Sequence, residues 1–456
     1  MDKMEKITSW AKRRGFIYPG SDIYGGLANS WDYGPVGVEL KNNIKNEWWH
    51  RFVHRRSDIV GLDAALIMNP KVWQASGHIE GFNDPLVEDK KTHERYRLDH
   101  LLEDAGENVE GMSLEDMANK AKEIKLKSPK GNELTEPKEF NLMFETYLGP
   151  VKDEDNKAYL RPETAQAIFV NFKNILDTTR QRIPFGIAQV GKAFRNEITT
   201  GNFIFRTREF EQMEIEYFVE EKEWEKHFDY WLKELHLWLE HCGINKKNVE
   251  DYETPDAELA HYSKRTVDIM YKFPFGTKEL YGLAYRTDYD LKQHIEASGE
   301  KLQYRDPHTN EKFVPHIIEP SLGVDRTVLA VLLEAYTEEE DRVVAKFPAW
   351  LAPVKVAVFP LLSNDKKLVK YAKDIFETVS PRWHAQYDEG GSIGKRYRRQ
   401  DEIGTPVCIT VDHDTLKDDT VTLRDRDSME QIRISSKDLT EKLEQYFAGK
   451  KFKDLK

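Results

Sequence analysis

The sequence predicts an α+β protein: a large, mostly antiparallel sheet flanked by helices, with a smaller α/β domain following it. Three observations carry that expectation. Residues 187–197 and 208–219 alternate apolar and polar side chains, as strands with one buried face do. The pattern changes at residues 347–353 (FPAWLAP), after which short apolar strands alternate with helical patterns. The chain has 456 residues, more than one hydrophobic core serves.

Residues 15–37 are dense in glycine and aromatics, among them Gly15, Phe16, Tyr18, Gly25, Gly26, Trp31, Tyr33, Gly34 and Gly37, and predict tightly packed loops. A helix is expected over 38–54, with Leu40, Ile44, Trp48 and Phe52 on one stripe. Residues 59–68 read as an apolar strand ended by Pro70. Residues 83–157 are polar, with one short helical pattern at Leu114, Met117, Ala121 and Ile124; they read as an insertion into a domain spanning 1–345. Pro162 favours a helix start, giving a helix over 163–176 with Glu163 in its first turn. The stripe Trp224, Phe228, Trp231, Leu235, Trp238 and Cys242 reads as a helix packed on its own core rather than a seam for a partner. Beyond the boundary, 354–360 and 406–412 read as buried strands, 366–379 as an amphipathic helix, and 421–424 with 431–434 as a hairpin, in a domain of 353–456.

Composition narrows the function. At 39% hydrophobic and 32% charged residues the chain is globular with a sizeable interior. It has no apolar run of membrane-spanning length and no secretory signal over its first 15 residues. Cys242 and Cys408 are its two cysteines, so no disulfide framework and no structural zinc are expected, and a reducing cytoplasm fits. A net charge of −12 argues against a general nucleic-acid coat and requires any such contact to come from a local patch.

The chemistry lies on the two long strands. Parity sends Ala188, Val190 and Phe194 to one face and Gln189, Arg195 and Glu197 to the other. On the second strand Met213, Ile215, Tyr217 and Val219 form an apolar face, opposite Arg208, Phe210, Gln212, Glu214 and Glu216. Thr199, Thr200 and Gly201 supply the turn between them. A solvated outer face accounts for most such patterns. Phe210 is the exception, an aromatic plate among arginines that suits a purine with its phosphates. Parity does not separate Glu214 from Glu216.

Phe194-Arg195-Asn196-Glu197 followed by Arg206-Thr207-Arg208-Glu209-Phe210 resembles the second signature motif of class II aminoacyl-tRNA synthetases. Gly323-Val324-Asp325-Arg326, opening an apolar helix, resembles the third, and the 38–54 helix with the strand after it resembles the first, the dimer-forming element. Arg326 in a first helical turn is disfavoured by the dipole unless an anion sits there. Arg161-Pro162-Glu163-Thr164-Ala165-Gln166, Phe210-Glu211-Gln212-Met213-Glu214 and Glu319-Pro320-Ser321 are similar to segments of the dimeric glycyl-tRNA synthetases. So are Gly25-Gly26-Leu27, Trp31-Asp32-Tyr33-Gly34-Pro35 and Asn69-Pro70 with Ser76-Gly77-His78.

The resemblance implies a glycine–tRNA ligase that uses ATP with Mg²⁺ and acts as a homodimer on tRNA(Gly). It implies catalytic roles for Arg195 and Arg326. It implies an ATP site of Arg195, Asn196, Glu197, Phe205, Arg206, Thr207, Arg208, Glu209, Phe210, Glu279, Leu280, Gly323, Val324, Asp325 and Arg326. It implies a glycine site of Arg97, Glu163, Phe210, Glu211, Gln212, Met213, Glu214, Glu319, Pro320, Ser321, Leu322 and Gly323, and so selects Glu214 over Glu216. Lys395, Arg396, Arg398 and Arg399, ahead of Asp401-Glu402-Ile403-Gly404, resemble part of the anticodon-binding domain of this group and would supply the basic patch that contacts tRNA. Another synthetase with the same C-terminal domain, and a synthetase-derived binding subunit, are the alternatives. The acid-rich pocket with Ser321 opposes the first; the presence of Arg195 and Arg326 opposes the second.

Overall fold

A computed structural model describes residues 2–109, 111–199 and 201–456; Thr200, expected in the turn between the long strands, lies outside them. The larger sheet has seven strands, numbered here in chain order: β1 (Ile59–Gly61), β2 (Phe185–Phe194), β3 (Glu209–Val219), β4 (Val249–Glu253), β5 (Arg265–Phe273), β6 (Gly276–Thr287) and β7 (His316–Gly323). Their order is β4-β5-β6-β7-β3-β2-β1, antiparallel throughout except at the parallel β1–β2 edge. The two alternating segments are thus β2 and β3, with Met213 opposite Val190 and Glu214 opposite Gln189. Arg195, Glu197 and Arg208 fall in the loop just beyond the strand ends.

Helices α1 (Lys3–Arg13), α2 (Pro35–Trp49), α3 (Ala165–Thr179), α4 (Trp224–His241), α5 (Tyr289–Ser298) and α6 (Val324–Ala335) surround this sheet. Its apolar face, with Met213, Ile215, Tyr281, Leu283 and Leu322, joins Trp48, Trp231, Trp238 and Leu329 of α2, α4 and α6 in one core. The aromatic stripe of α4 therefore faces its own sheet, and each such buried side chain contributes about 1.5–3 kcal/mol. Gly37 lets α2 meet the N-terminal loop, because a β-carbon there would lie 1.8 Å from the Phe16 carbonyl oxygen. Helix α2 continues as a wider π-helical turn over His50–His54.

Two local expectations change. The strand expected over 59–68 ends at Gly61, and Pro70 opens the short helix Pro70–Ala75, with the Asn69 side chain accepting from the Lys71 amide. Proline stands there as a first-turn residue rather than a strand terminator. Helix α3 begins at Ala165, so Glu163 precedes it and is not a first-turn charge.

The insertion carries a three-stranded sheet of Asn83–Glu88, Arg95–Arg97 and Lys138–Asn141. Its helix Leu114–Glu123 packs Met117 and Ala121 on Val87, Leu98 and Leu102, in a small core of its own.

The C-terminal sheet comprises β8 (Val356–Pro360), β9 (Ala385–Tyr387), β10 (Val407–Val411), β11 (Thr420–Asp425) and β12 (Gln431–Ser435), in the order β9-β8-β10-β11-β12. Helices α7 (Lys366–Val379), α8 (Ile393–Ile403) and α9 (Leu439–Phe447) accompany it. Val356, Leu368, Ile409, Leu423 and Leu443 form its separate core. Residues 347–353 are no loose linker, since Phe347, Leu351 and Ala352 are buried in the first core. Just before them, Arg342 of the hairpin Tyr336–Glu338/Val343–Ala345 donates to the Asp401 carboxylate at 3.0 Å and to the Arg426 carbonyl at 2.7 Å. Asp401, fully buried on α8, also accepts from Arg424 at 2.8 and 3.0 Å. No helix among the described residues is long and apolar enough to cross a membrane.

Candidate active site

The polar face of β2 and β3 is not solvated. Gln189, Gln212, Glu214, Glu216 and Glu319 are all buried on it, beneath α3 and α5. Neighbouring strands set the side chains in rows. Gly191, Gln212 and Gly323 form the outer row; Gln189, Glu214, Ser321, Gly282 and Asp268 form the next one in.

Above the outer row lies a cavity lined by three guanidinium groups, those of Arg195, Arg206 and Arg326. Arg195 donates to the Pro162 carbonyl at 3.0 Å, and its guanidinium lies 5.4 Å from the centres of both the Phe210 and Phe82 rings. Arg326, at the start of α6, reaches the Glu279 carboxylate at 3.0 Å and its carbonyl at 2.9 Å, and lies 4.5 Å from the Phe205 ring. Arg326 holds the Glu279 carboxyl below its ordinary range. Arg206, Thr207, Phe210 and Glu197 complete the wall. Anchored guanidinium groups sharing a cavity with an aromatic plate suit a polyphosphate joined to a flat base.

Beside this cavity sits a buried cluster with more acids than cations. Glu214 accepts from Ser321 Oγ at 2.6 Å, from Gln212 at 2.8 Å and from the Thr164 hydroxyl. Glu163 pairs with His78 Nε2 at 3.3 Å. Glu319 takes both oxygens to Arg286 at 3.0 Å, and Arg286 also grips Asp290 at 2.8 Å while stacking 3.8 Å from the Tyr262 ring. Burial would raise the Glu163 carboxyl, but His78, Arg286 and Arg195 hold it well below the usual range. Burial and then the Glu163 charge raise Glu214. Glu216 and Glu319 are also raised, first by burial and then by their like-charged neighbours, while the Arg286 guanidinium draws both back down and is hydrogen-bonded to Glu319.

Most of the residues singled out in the sequence meet here. Arg195, Glu197, Phe205, Arg206, Thr207, Phe210, Glu279, Leu280, Gly323, Asp325 and Arg326 line the first cavity, as do Glu211, Gln212 and Ser321. Others are placed elsewhere, or have their side chains taken up by neighbours. Met213, Pro320 and Leu322 have the opposite strand parity, with Met213 and Leu322 in the core behind the sheet, and Val324 joins that core. They do not face the pocket. The Glu211 carboxylate is taken up by Lys41 at 2.6 Å and Lys45 at 3.1 Å. Asp325 ties α6 to α2 and β3, accepting from Tyr33, from Lys41 at 3.0 Å and from the Glu211 amide at 2.8 Å. Arg208 turns to the Ala28 and Glu197 carbonyls, Glu209 pairs with Lys192, and the Asn196 amide joins the Leu142 carbonyl. Arg97 does not line the cavity; it is held in the insertion by Asp84 at 2.7 Å and Asp99 at 2.6 Å.

Arg286, Asp290 and Tyr262 were not anticipated. His78, Thr164 and Gln166 stood in segments noted for their family likeness, without a role. The basic segment also differs from the expected patch. Helical period turns Arg396 inward with Gln400 and Ile403, where it donates to the Pro360 and Gly391 carbonyls. It is therefore withdrawn from any tRNA contact. Arg398 pairs with Asp341 and Arg399 with Asp388, both still partly exposed, and Lys395 is exposed.

An antiparallel sheet that brings two such arginines to one cavity is the frame of a class II aminoacyl-tRNA synthetase. The family described as "tRNA synthetase class II core domain (G, H, P, S and T)" matches residues 144–336, and "Anticodon binding domain" matches 355–446. The glycine–tRNA ligase of Alkaliphilus oremlandii is 54% identical over 453 residues, 96% of this chain and 97% of its own. That of Clostridium acetobutylicum is 54% identical over 459 residues, covering 97% and 98%, and that of Staphylococcus haemolyticus 52% over 455, covering 96% and 97%. The chain belongs to the glycine–tRNA ligase family, enzymes that use ATP to join glycine to tRNA.

Proposed function

We propose the following division of labour. Phe210 stacks on adenine, Arg195 meets the α-phosphate, Arg326 holds the γ-phosphate, and Glu163, Glu214, Glu319 and Ser321 receive glycine. The observation that carries this is the excess of buried carboxyls beside the two arginines. Arg286 is already engaged by Asp290 and Glu319, so the pocket calls for another cation. An ammonium ion supplies it.

The glycine carboxylate oxygen bonds to the α-phosphorus as the bond to the bridging oxygen breaks and pyrophosphate leaves. The nucleophile is already an anion, so no general base is required; the chain contributes positioning and electrostatics. A ribose hydroxyl at the tRNA end, the 3′-hydroxyl by family likeness, then attacks the glycyl carbonyl and releases AMP. A Mg²⁺ ion at this site would need only one or two carboxylates from the protein, the substrate phosphates and water supplying the rest. Glu279, lining the cavity beside Arg326, fits as the protein ligand; when bound, the ion would offset phosphate charge.

Residues 1–345 would form the catalytic domain and 353–456 the domain that meets the tRNA(Gly) anticodon loop. Homodimerisation through the element containing α2 is supported by exposed apolar side chains on that helix and in the loop ahead of it in sequence, Val38 on α2 and Ile23 at 88% and Tyr24 at 87%. Two buried free cysteines fit a reducing cytoplasm.

Exchange of labelled pyrophosphate into ATP tests the reading: glycine supports exchange and alanine does not. Exchange that ignores glycine would overturn it.

A further inference from the structure

Glu216 has no part in the steps above, yet it is the most confined acid of the site. It is fully buried, and neither carboxyl oxygen has a hydrogen-bond partner among the described residues. The register that sets Glu214 opposite Ser321 and Tyr217 opposite Ile318 puts Glu216 directly across from Glu319. Like charges at that cross-strand position repel.

The charged groups facing it are Glu214 on its own strand, Glu319 on β7, Arg286 on β6 and Asp290 on α5. From β2 come Ile187, opposite it, and Gln189 on the same face; α3 brings Gln166 with Glu163 just ahead of it. Arg286 is the cation among them, and its donors are occupied by Asp290 and Glu319. A buried acid without a partner, beside other carboxylates, stays neutral by keeping its proton.

We propose that Glu216 is the exchangeable-proton site of the amino-acid pocket: its proton stands in for the absent substrate cation and leaves when the ammonium arrives. This rests on assigning Glu163, Glu214 and Glu319 to the ammonium. The Glu216 O–H bond breaks and the proton passes to solvent; the substrate nitrogen enters as –NH₃⁺ and stays so. The link is electrostatic, because the ammonium neutralises Glu319 and Glu214, whose charges had kept the proton on Glu216. Glu216 is thus a positioning residue that acts through Glu319. It makes glycine binding tighten as pH rises, by one proton per site.

The test uses the full-length protein and a glycyl-sulfamoyl analogue of the adenylate, which keeps the ammonium. Calorimetric titration in two buffers of different ionisation enthalpy counts the protons released. Wild type releases close to one proton per analogue near neutral pH; Glu216→Gln, an always-neutral isostere, loses that release and still binds. Equal release from both proteins overturns the proposal. A second readout covers poor folding of the variant: in pyrophosphate exchange the wild-type KM for glycine falls as pH rises through neutrality, because the acid is raised well above its ordinary value, and a flat profile overturns the proposal by itself. A Glu214→Gln enzyme with unchanged glycine KM would instead sink the pocket assignment, a failure distinct from an unaltered proton count.

Discussion

Replacing Glu163 by Gln removes the acid that the site holds most firmly ionised, through His78 at 3.3 Å and the nearby guanidinium groups. A hydrogen bond to a charged group contributes about 1.5–3 kcal/mol, which is about 10- to 150-fold in binding. The low end applies here. Glu163 is the main charge raising Glu214, so its removal lets Glu214 ionise more fully and recover part of the attraction. The expected loss is therefore about 1.4 kcal/mol, or about tenfold. It should fall on KM for glycine and leave kcat unchanged, because the ammonium is equally charged before and during attack on the phosphorus and its contacts bind both states alike. Pyrophosphate exchange at saturating ATP, with glycine varied, measures both constants. A variant with lowered kcat and unaltered KM would refute the reasoning and move Glu163 to the reacting atoms.

Arg195→Ala should lower kcat for exchange about 10²- to 10³-fold, as loss of one fixed electrostatic donor does, without changing the melting temperature; exchange at the wild-type rate would remove Arg195 from its role. Glu214, Glu216 and Glu319 are raised in the folded state above the ordinary carboxylate value. Their stabilising contribution is complete at acid pH below the unfolded value and is lost as pH rises through the folded values. The substrate-free melting temperature should thus fall from neutral to alkaline pH, less steeply in Glu216→Gln and with saturating glycine; scanning fluorimetry would expose identical slopes. Arg342→Met should weaken the junction between the two cores by about 3 kcal/mol, the low end for a broken buried pair, because Asp401 keeps Arg424. Calorimetry should show the C-terminal unit melting separately, with tRNA charging reduced and glycine-dependent exchange intact; equal losses in both activities would contradict this.

Strand and helix periodicity made much of the fold legible. Helix α7 runs from Lys366 to Val379, as its amphipathic pattern and the Asp365 cap dictate, and the hairpin of β2 and β3 follows from alternation alone. Parity could not choose between Glu214 and Glu216, since both point the same way. Their difference comes from β7, a hundred residues on, where Ser321 meets one and Glu319 the other. Arg286 left no local trace, because it sits at a bulge in β6 and takes its meaning from Asp290 and Glu319, 4 and 33 residues away. The run from Lys395 to Arg399 misled for the converse reason: its composition is basic, but helical geometry turns Arg396 inward to hold the end of β8.

The Arg342–Asp401 junction has a bearing on how a tRNA is chosen. Helix α8 is pinned to the hairpin that follows α6, whose first turn carries Arg326. The anticodon unit and the chemical centre are thus the jaws of one caliper, set by buried hydrogen bonds rather than by a flexible tether. A nucleic acid that fits both jaws must have the right span as well as the right bases.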